Sequence, residues 1–141
     1  MKKAIIKFEA VRYIIAVLVL ASMASCSNKM TFVRSGIVPA ATGSVSLKSD
    51  NNGNHTIKID VNHLAPAASL NPDYKTYVVW MVTQSNETKN IGQLKSSTSV
   101  LSKALKGSLN AVSSFKPNSF FITAEREGNV EYPGMTVLST K

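Results

Sequence analysis

Histidine, serine and paired carboxylates are the side chains here that could move protons or attack a carbonyl. The only imidazoles are His55 and His63. They lie eight residues apart in different elements, so only folding could bring them to one metal ion. That spacing favours two exposed loop side chains over a metal centre. Ser113-Ser114-Phe115-Lys116 spells the S-x-x-K of serine acyl-transfer enzymes, and Ser49-Asp50-Asn51 spells their S-D-N. Their order is reversed, and Lys75-Thr76-Tyr77 fails as the K-T-G that should accompany them. Nor does the S-x-x-K open a helix that would aim serine at lysine. In a serine-rich chain both read as coincidence. Glu125 and Glu127 flank Arg126. Paired carboxylates can share acid–base work, but no histidine or further acid is placed to cooperate, and a structural ion pair is the better account. Neither an enzyme activity nor a cofactor is expected.

The remaining reactive residue is Cys26, the one cysteine in the chain. It follows a segment with Lys2, Lys3, Lys7 and Arg12, then the apolar run Tyr13 to Ala21, then the small residues Ser22, Ala24 and Ser25. This is the charged, apolar, small-residue order of a secretory signal peptide. The apolar run is short of the roughly 20 residues that span a bilayer. Met23-Ala24-Ser25-Cys26 resembles the lipobox of bacterial lipoproteins, with Met23 where an aliphatic residue is usual. The resemblance implies acylation of Cys26 and attachment to a bacterial membrane through it. Ser27, rather than Asp, after the cysteine implies outer-membrane retention in a Gram-negative cell. An acylated Cys26 leaves no thiol for a disulfide or a cysteine-held metal.

Charge points the same way. The formal net charge is +8. Four bases against Glu9 put +3 into the leader, and twelve bases against seven acids leave +5 for the rest. Those bases are dispersed, with no run of the length that marks a nucleic-acid arm. They read as lysines on the solvated faces of strands. Trp80 and the tyrosines stand apart from any basic run, which also argues against nucleic acid.

These residues must be positioned by strands. Ser44 to Lys48 alternates, and Ser49 to Asn54 is a turn containing Asn-Gly. His55 to Val61 then alternates with Ile57, Ile59 and Val61 on one face. Asn62 to Asp73, with two prolines, reads as a loop whose Leu64 and Leu70 plug the end of the domain. Tyr77-Val78-Val79-Trp80-Met81-Val82 is continuously apolar and reads as a strand buried on both faces, with Trp80 as core anchor and Tyr77 or Val79 opposite. Thr88 to Leu94 returns the chain. For Lys95 to Asn110, Leu101, Leu105 and Leu109 at spacing four suggest a helical turn, but the serines argue against a long helix. A short irregular piece and a strand near Ser108 to Val112 are expected there. Ser119 to Glu125 and Met135 to Thr140 are the last strands. The expected architecture is all-β: an immunoglobulin-like antiparallel sandwich of about seven strands after an N-terminal signal helix, with a small barrel as the alternative. Residues 1–25 are the signal peptide, 26–43 the acylated cysteine and a tether, and 44–141 the folded domain.

Four segments recur together in one family. They are Tyr77-Val78-Val79-Trp80, Asn90-Ile91-Gly92-Gln93-Leu94, Phe120-Phe121-Ile122-Thr123-Ala124-Glu125, and Pro133-Gly134 with Val137-Leu138. They resemble the extracytoplasmic C-terminal domain of anti-sigma-K-type factors and their stand-alone relatives. The resemblance spans about residues 44 to 141 and implies a sandwich outside the membrane. Those regulators carry a cytoplasmic sigma-binding domain and a membrane span, whereas this chain has a lipoprotein signal in their place, so a sigma-binding role does not carry over. The expected function is a non-catalytic binding or structural module of the cell envelope. The loops bearing Leu64, Leu70, Arg126 and Tyr132 would meet an envelope protein partner. An accessory role in envelope signalling is the alternative.

Overall fold

Two antiparallel sheets packed face to face make up the domain. A computed structural model of the chain describes residues 28–99 and 102–141. Residues 1–27, with Cys26, and residues 100–101, with Leu101, lie outside the described residues, as do the readings placed on them. The strands are β1 (Asn28–Thr31), β2 (Thr42–Ser49), β3 (His55–Leu64), β4 (Thr76–Thr83), β5 (Thr88–Gln93), β6 (Lys95–Ser99), β7 (Ser102–Ser113), β8 (Pro117–Glu125) and β9 (Met135–Ser139). A single helical turn, α1 (Ala67–Leu70), follows β3. The first sheet runs β1-β2-β3-β7-β6 and the second β5-β4-β8-β9. An all-β sandwich is therefore the fold, and its two separate sheets rule out the barrel.

The β2–β3 hairpin forms where turn chemistry and alternation agree. Asp50 Oδ1 accepts from the amides of Asn52 at 2.9 Å and Asn54 at 2.8 Å, and Gly53 takes the left-handed φ of 81° that closes the turn. The register that follows sets Val45 opposite Ile59 and Leu47 opposite Ile57. From the other sheet Tyr77, Val79 and Met81 of β4, with Phe120 and Ile122 of β8, complete the core between the layers. Leu94 makes the chain switch sheets: its amide donates to the Tyr77 carbonyl at 2.9 Å, and β6 starts at the next residue.

Four expectations need correction. First, nine strands are described, not about seven. Second, the stretch 28–43 is built into the domain instead of tethering it. Asn28 to Thr31 pair with β2, Val38 and Ala41 are buried, and Phe32 bridges to Thr140. Four residues such as Asn-Lys-Met-Thr make a strand only because β2 offers an unpaired edge. Third, the irregular piece expected over 95–110 with a late strand at 108–112 is mostly strand: β6 ends at Ser99 and the twelve-residue β7 already starts at Ser102. A spacing of four residues lies on one face of a strand as well as on one face of a helix. Leu105 and Leu109 do face the core, with Gly107 between them, where a Cβ would meet Leu94 at 3.0 Å. Fourth, Trp80 is buried but lies on the outer side of the second sheet; Tyr77 and Val79 hold the interior side.

Candidate functional site

The β2–β3 turn brings together one pair with catalytic potential. Because the turn is tight, Ser49 stands opposite His55 in the ladder. Their side chains hydrogen-bond, Ser49 Oγ to His55 Nδ1, at 2.8 Å. The pair opens on a cleft of about 540 Å³ rimmed by Lys29, Gln84 and Lys116. A serine beside an imidazole is the start of nucleophilic catalysis, which also needs a group to orient the base. Asp50 is the nearest carboxylate in sequence, but its oxygens are taken up by the amides of Asn52 and Asn54 and by the Asn54 side chain at 3.0 Å. Those bonds, the Asn54 side chain foremost, hold its carboxyl below the usual range, while attraction to His55 adds least. The geometry therefore suits polar or anionic contact better than acyl transfer.

The other chemical candidates stay apart. Both histidines, expected in different elements and in loops, fall instead on one strand, near opposite ends of β3 and at most about 26 Å apart. Among the described residues no cluster of metal-ligating side chains comes together. Ser113 turns its hydroxyl onto the Phe115 backbone, accepting from the amide at 3.0 Å. The Phe115 ring lies 4.0 Å from the ammonium of Lys89 rather than serving an S-x-x-K with Lys116. Glu125 is buried and accepts from the Gly134 amide at 2.7 Å, whereas Glu127 is exposed, so the two carboxylates do not act as a pair.

The loops nominated for docking fare unevenly. Leu64 is 2% exposed and belongs to the core, because β3 continues through it; it is not available to a partner. Leu70, on α1, is half-buried against the same core. Arg126 reaches across to Asp73 with Nη2 to Oδ2 at 2.9 Å, which joins the α1 loop to the loop after β8. That second loop, residues 126–134, is folded back on the sheet. Asn90 Nδ2 donates to the carbonyls of Gly128 and Val130, both at 3.1 Å. A Cβ on Gly128 would run into the Gln93 side chain, so glycine permits the close approach. On the outer side of this sheet the Trp80 indole N–H donates to Thr123 Oγ1 at 2.8 Å and its ring stacks on Phe121 with centroids 6.1 Å apart. Tyr132 protrudes from the pinned loop, 76% exposed, more than any other large apolar side chain described.

Sequence reasoning missed the Ser49–His55 pair. Counting outward from Asn52-Gly53 as a two-residue turn would set Ser49 against Thr56; the loop is one residue longer, closed between Asp50 and Asn54, and that extra residue is what brings Ser49 to His55. Comparison with family models, with curated proteins and with solved structures finds no match for this chain.

Proposed function

We propose that this chain is a non-catalytic lipoprotein of the bacterial cell envelope, anchored through acylated Cys26, with its folded domain acting as a binding module. The observation that carries the binding part is Tyr132, held out on a loop fastened at Asn90 and Glu125. An aromatic ring presented on a pre-ordered loop loses little entropy on docking, which is the usual character of an interface anchor. The anchoring part rests on the lipobox resemblance at Met23 to Cys26. The partner chemistry that fits is an envelope protein with an apolar pocket for the ring. Serine hydrolysis is disfavoured by the engagement of Asp50 in the turn. Metabolic labelling with a fatty-acid analogue tests the anchor: label is expected on the wild type and absent from Cys26→Ala. Site-specific crosslinking from position 132 in intact cells tests the module. A discrete adduct supports the reading, and its absence under all growth conditions tried removes it.

A second reading, accessory to envelope signalling, draws on one observation. The segments that resemble anti-sigma-K-type domains all contribute to one sheet, β5-β4-β8-β9, with Pro133-Gly134 entering it. A deletion strain with an unchanged transcript profile would dismiss this alternative.

A further inference from the structure

We propose that the outer face of the five-stranded sheet is a docking surface for the anionic headgroups of the membrane that holds the chain. The proposal rests on the reading of Cys26 as the acyl acceptor and adds to it how the domain lies on the bilayer. The register of the ladders determines which side chains share this face. Lys29 stands beside Ser46, Ser46 beside Lys58, and Lys58 beside Asn110. In the next row Thr31, Ser44, Asp60, Ser108 and Lys95 follow one another across all five strands. Lys48, Thr56 and Val112 form a third row, and Lys106 pairs with Ser97. Ile57, Ile59, Val61 and Leu109 in the same strands point the other way, into the core.

Five lysines, all exposed, thus share one face with one carboxylate, Asp60. With Lys103 set aside, the bases elsewhere among the described residues are Arg34, Lys75, Lys89, Lys116, Arg126 and Lys141. The acids there are Asp50, Asp73, Glu87, Glu125, Glu127 and Glu131. Those six and six cancel, so the excess positive charge of the folded domain is concentrated on this sheet face. Strands about 4.8 Å apart spread the lysines over roughly 19 Å, the breadth of a few lipid headgroups. The intervening positions are mostly Ser, Thr and Asn, short donors suited to phosphate oxygens. Val112 is the exception on this face: it is apolar and 70% exposed.

The length of chain between anchor and sheet favours a membrane over a soluble polyanion. Cys26 precedes Asn28 by two residues, a reach of at most about 7 Å. The first strand is therefore held within about one Debye length of the headgroups at physiological salt. It is the edge strand of this sheet and carries Lys29. With attachment supplied by the acylated cysteine, the basic face sets how the domain lies on the surface.

The test uses the full acylated chain inserted in vesicles. In a Val112→Cys variant the new thiol carries an environment-sensitive fluorophore; Thr88→Cys, on the outer side of the other sheet, serves as control. Vesicles are phosphatidylcholine alone or with about a quarter phosphatidylglycerol. The expected result is a blue shift at position 112 only on anionic vesicles, reversed in about 1 M salt, where the Debye length falls to about 3 Å. Position 88 should not respond. Replacing Lys48, Lys58 and Lys106 by Gln should weaken the contact on the order of a hundred-fold, about five-fold per lysine, and replacement by Arg should preserve it. An equal shift on neutral vesicles, or an unchanged shift in the Gln variant, overturns the proposal. So does a probe that ignores vesicles and responds to an added acidic polysaccharide. Two fluorophores per chain would show Cys26 to be unacylated and refute the anchor reading. The same lysine series in a Cys26→Ser background would then decide the face separately.

Discussion

β3 and β4 each sit inside a sheet with a neighbour on either side, yet only β4 is covered on both faces. In β3 the inward Ile57, Ile59 and Val61 alternate with outward Thr56, Lys58 and Asp60, and the outward set is exposed. In β4 the five residues Tyr77 to Met81 are all buried. Position in a sheet therefore does not determine a strand's composition; what lies on its outer face does. The second sheet has aromatic packing on that side and a returning loop pinned to β5, while the first presents lysine and hydroxyl groups.

Substitutions on the two outer faces should separate most widely at Trp80. Trp80→Ala removes the stacked ring on the covered side and should cost about 3–5 kcal/mol, read as a lower urea midpoint. A midpoint equal to the wild type would mean that this side is not a second core. Thr123→Val keeps the shape but removes the acceptor for the indole N–H. A buried donor left alone costs about 1–3 kcal/mol, measurable in the same titration. On the interior side of β4, Tyr77 donates from its hydroxyl to the Ala65 carbonyl at 2.8 Å, and burial raises its pKa from 10.0 to about 12. The folded state thus favours the neutral phenol. That preference contributes fully below pH 10 and is lost as pH rises through about 12. Tyr77→Phe should give up about 1 kcal/mol at neutral pH and lose this part of the alkaline decline, as seen by comparing denaturation of the two proteins across that window. Lys58→Gln, on the open face, should move stability by no more than about 0.5 kcal/mol. A larger loss would show that the open face supports the fold as well as presenting charge.

The contrast also explains which parts could be read in advance. The alternation of β3, the Asn-Gly turn and the apolar run of β4 are local patterns, and each became the element it suggested. Trp80's side could not be read, because a run without alternation carries no sign of which face is interior. β1 and the early half of β7 were hidden for a different reason. Each pairs with its neighbour in sequence, β1 with β2 and the start of β7 with β6, but Lys, Ser and Asn on the outward positions look like loop until the pairing is known. The lysine face was legible in principle from strand parity, but the gathering of its rows depends on registers among β1, β2, β3, β7 and β6. Of the nominated docking residues, Tyr132 and Arg126 are exposed, whereas Leu64 was lost to the core when β3 ran three residues past Val61.

Phe32 faces Thr140, and the Val33 amide donates to the Ser139 carbonyl at 2.8 Å. The two ends of the domain are thereby clasped to each other, one strand from each sheet. Under the attachment at Cys26 proposed above, this clasp has a mechanical meaning. Tension arriving through residue 28 would load the β1–β2 ladder first, and the clasp at Phe32 and Val33 would then hold the chain just beyond β1 to the end of β9. The same clasp makes the final residues a lock on the entry of the chain, and trimming them would loosen the molecule at the point where load enters it.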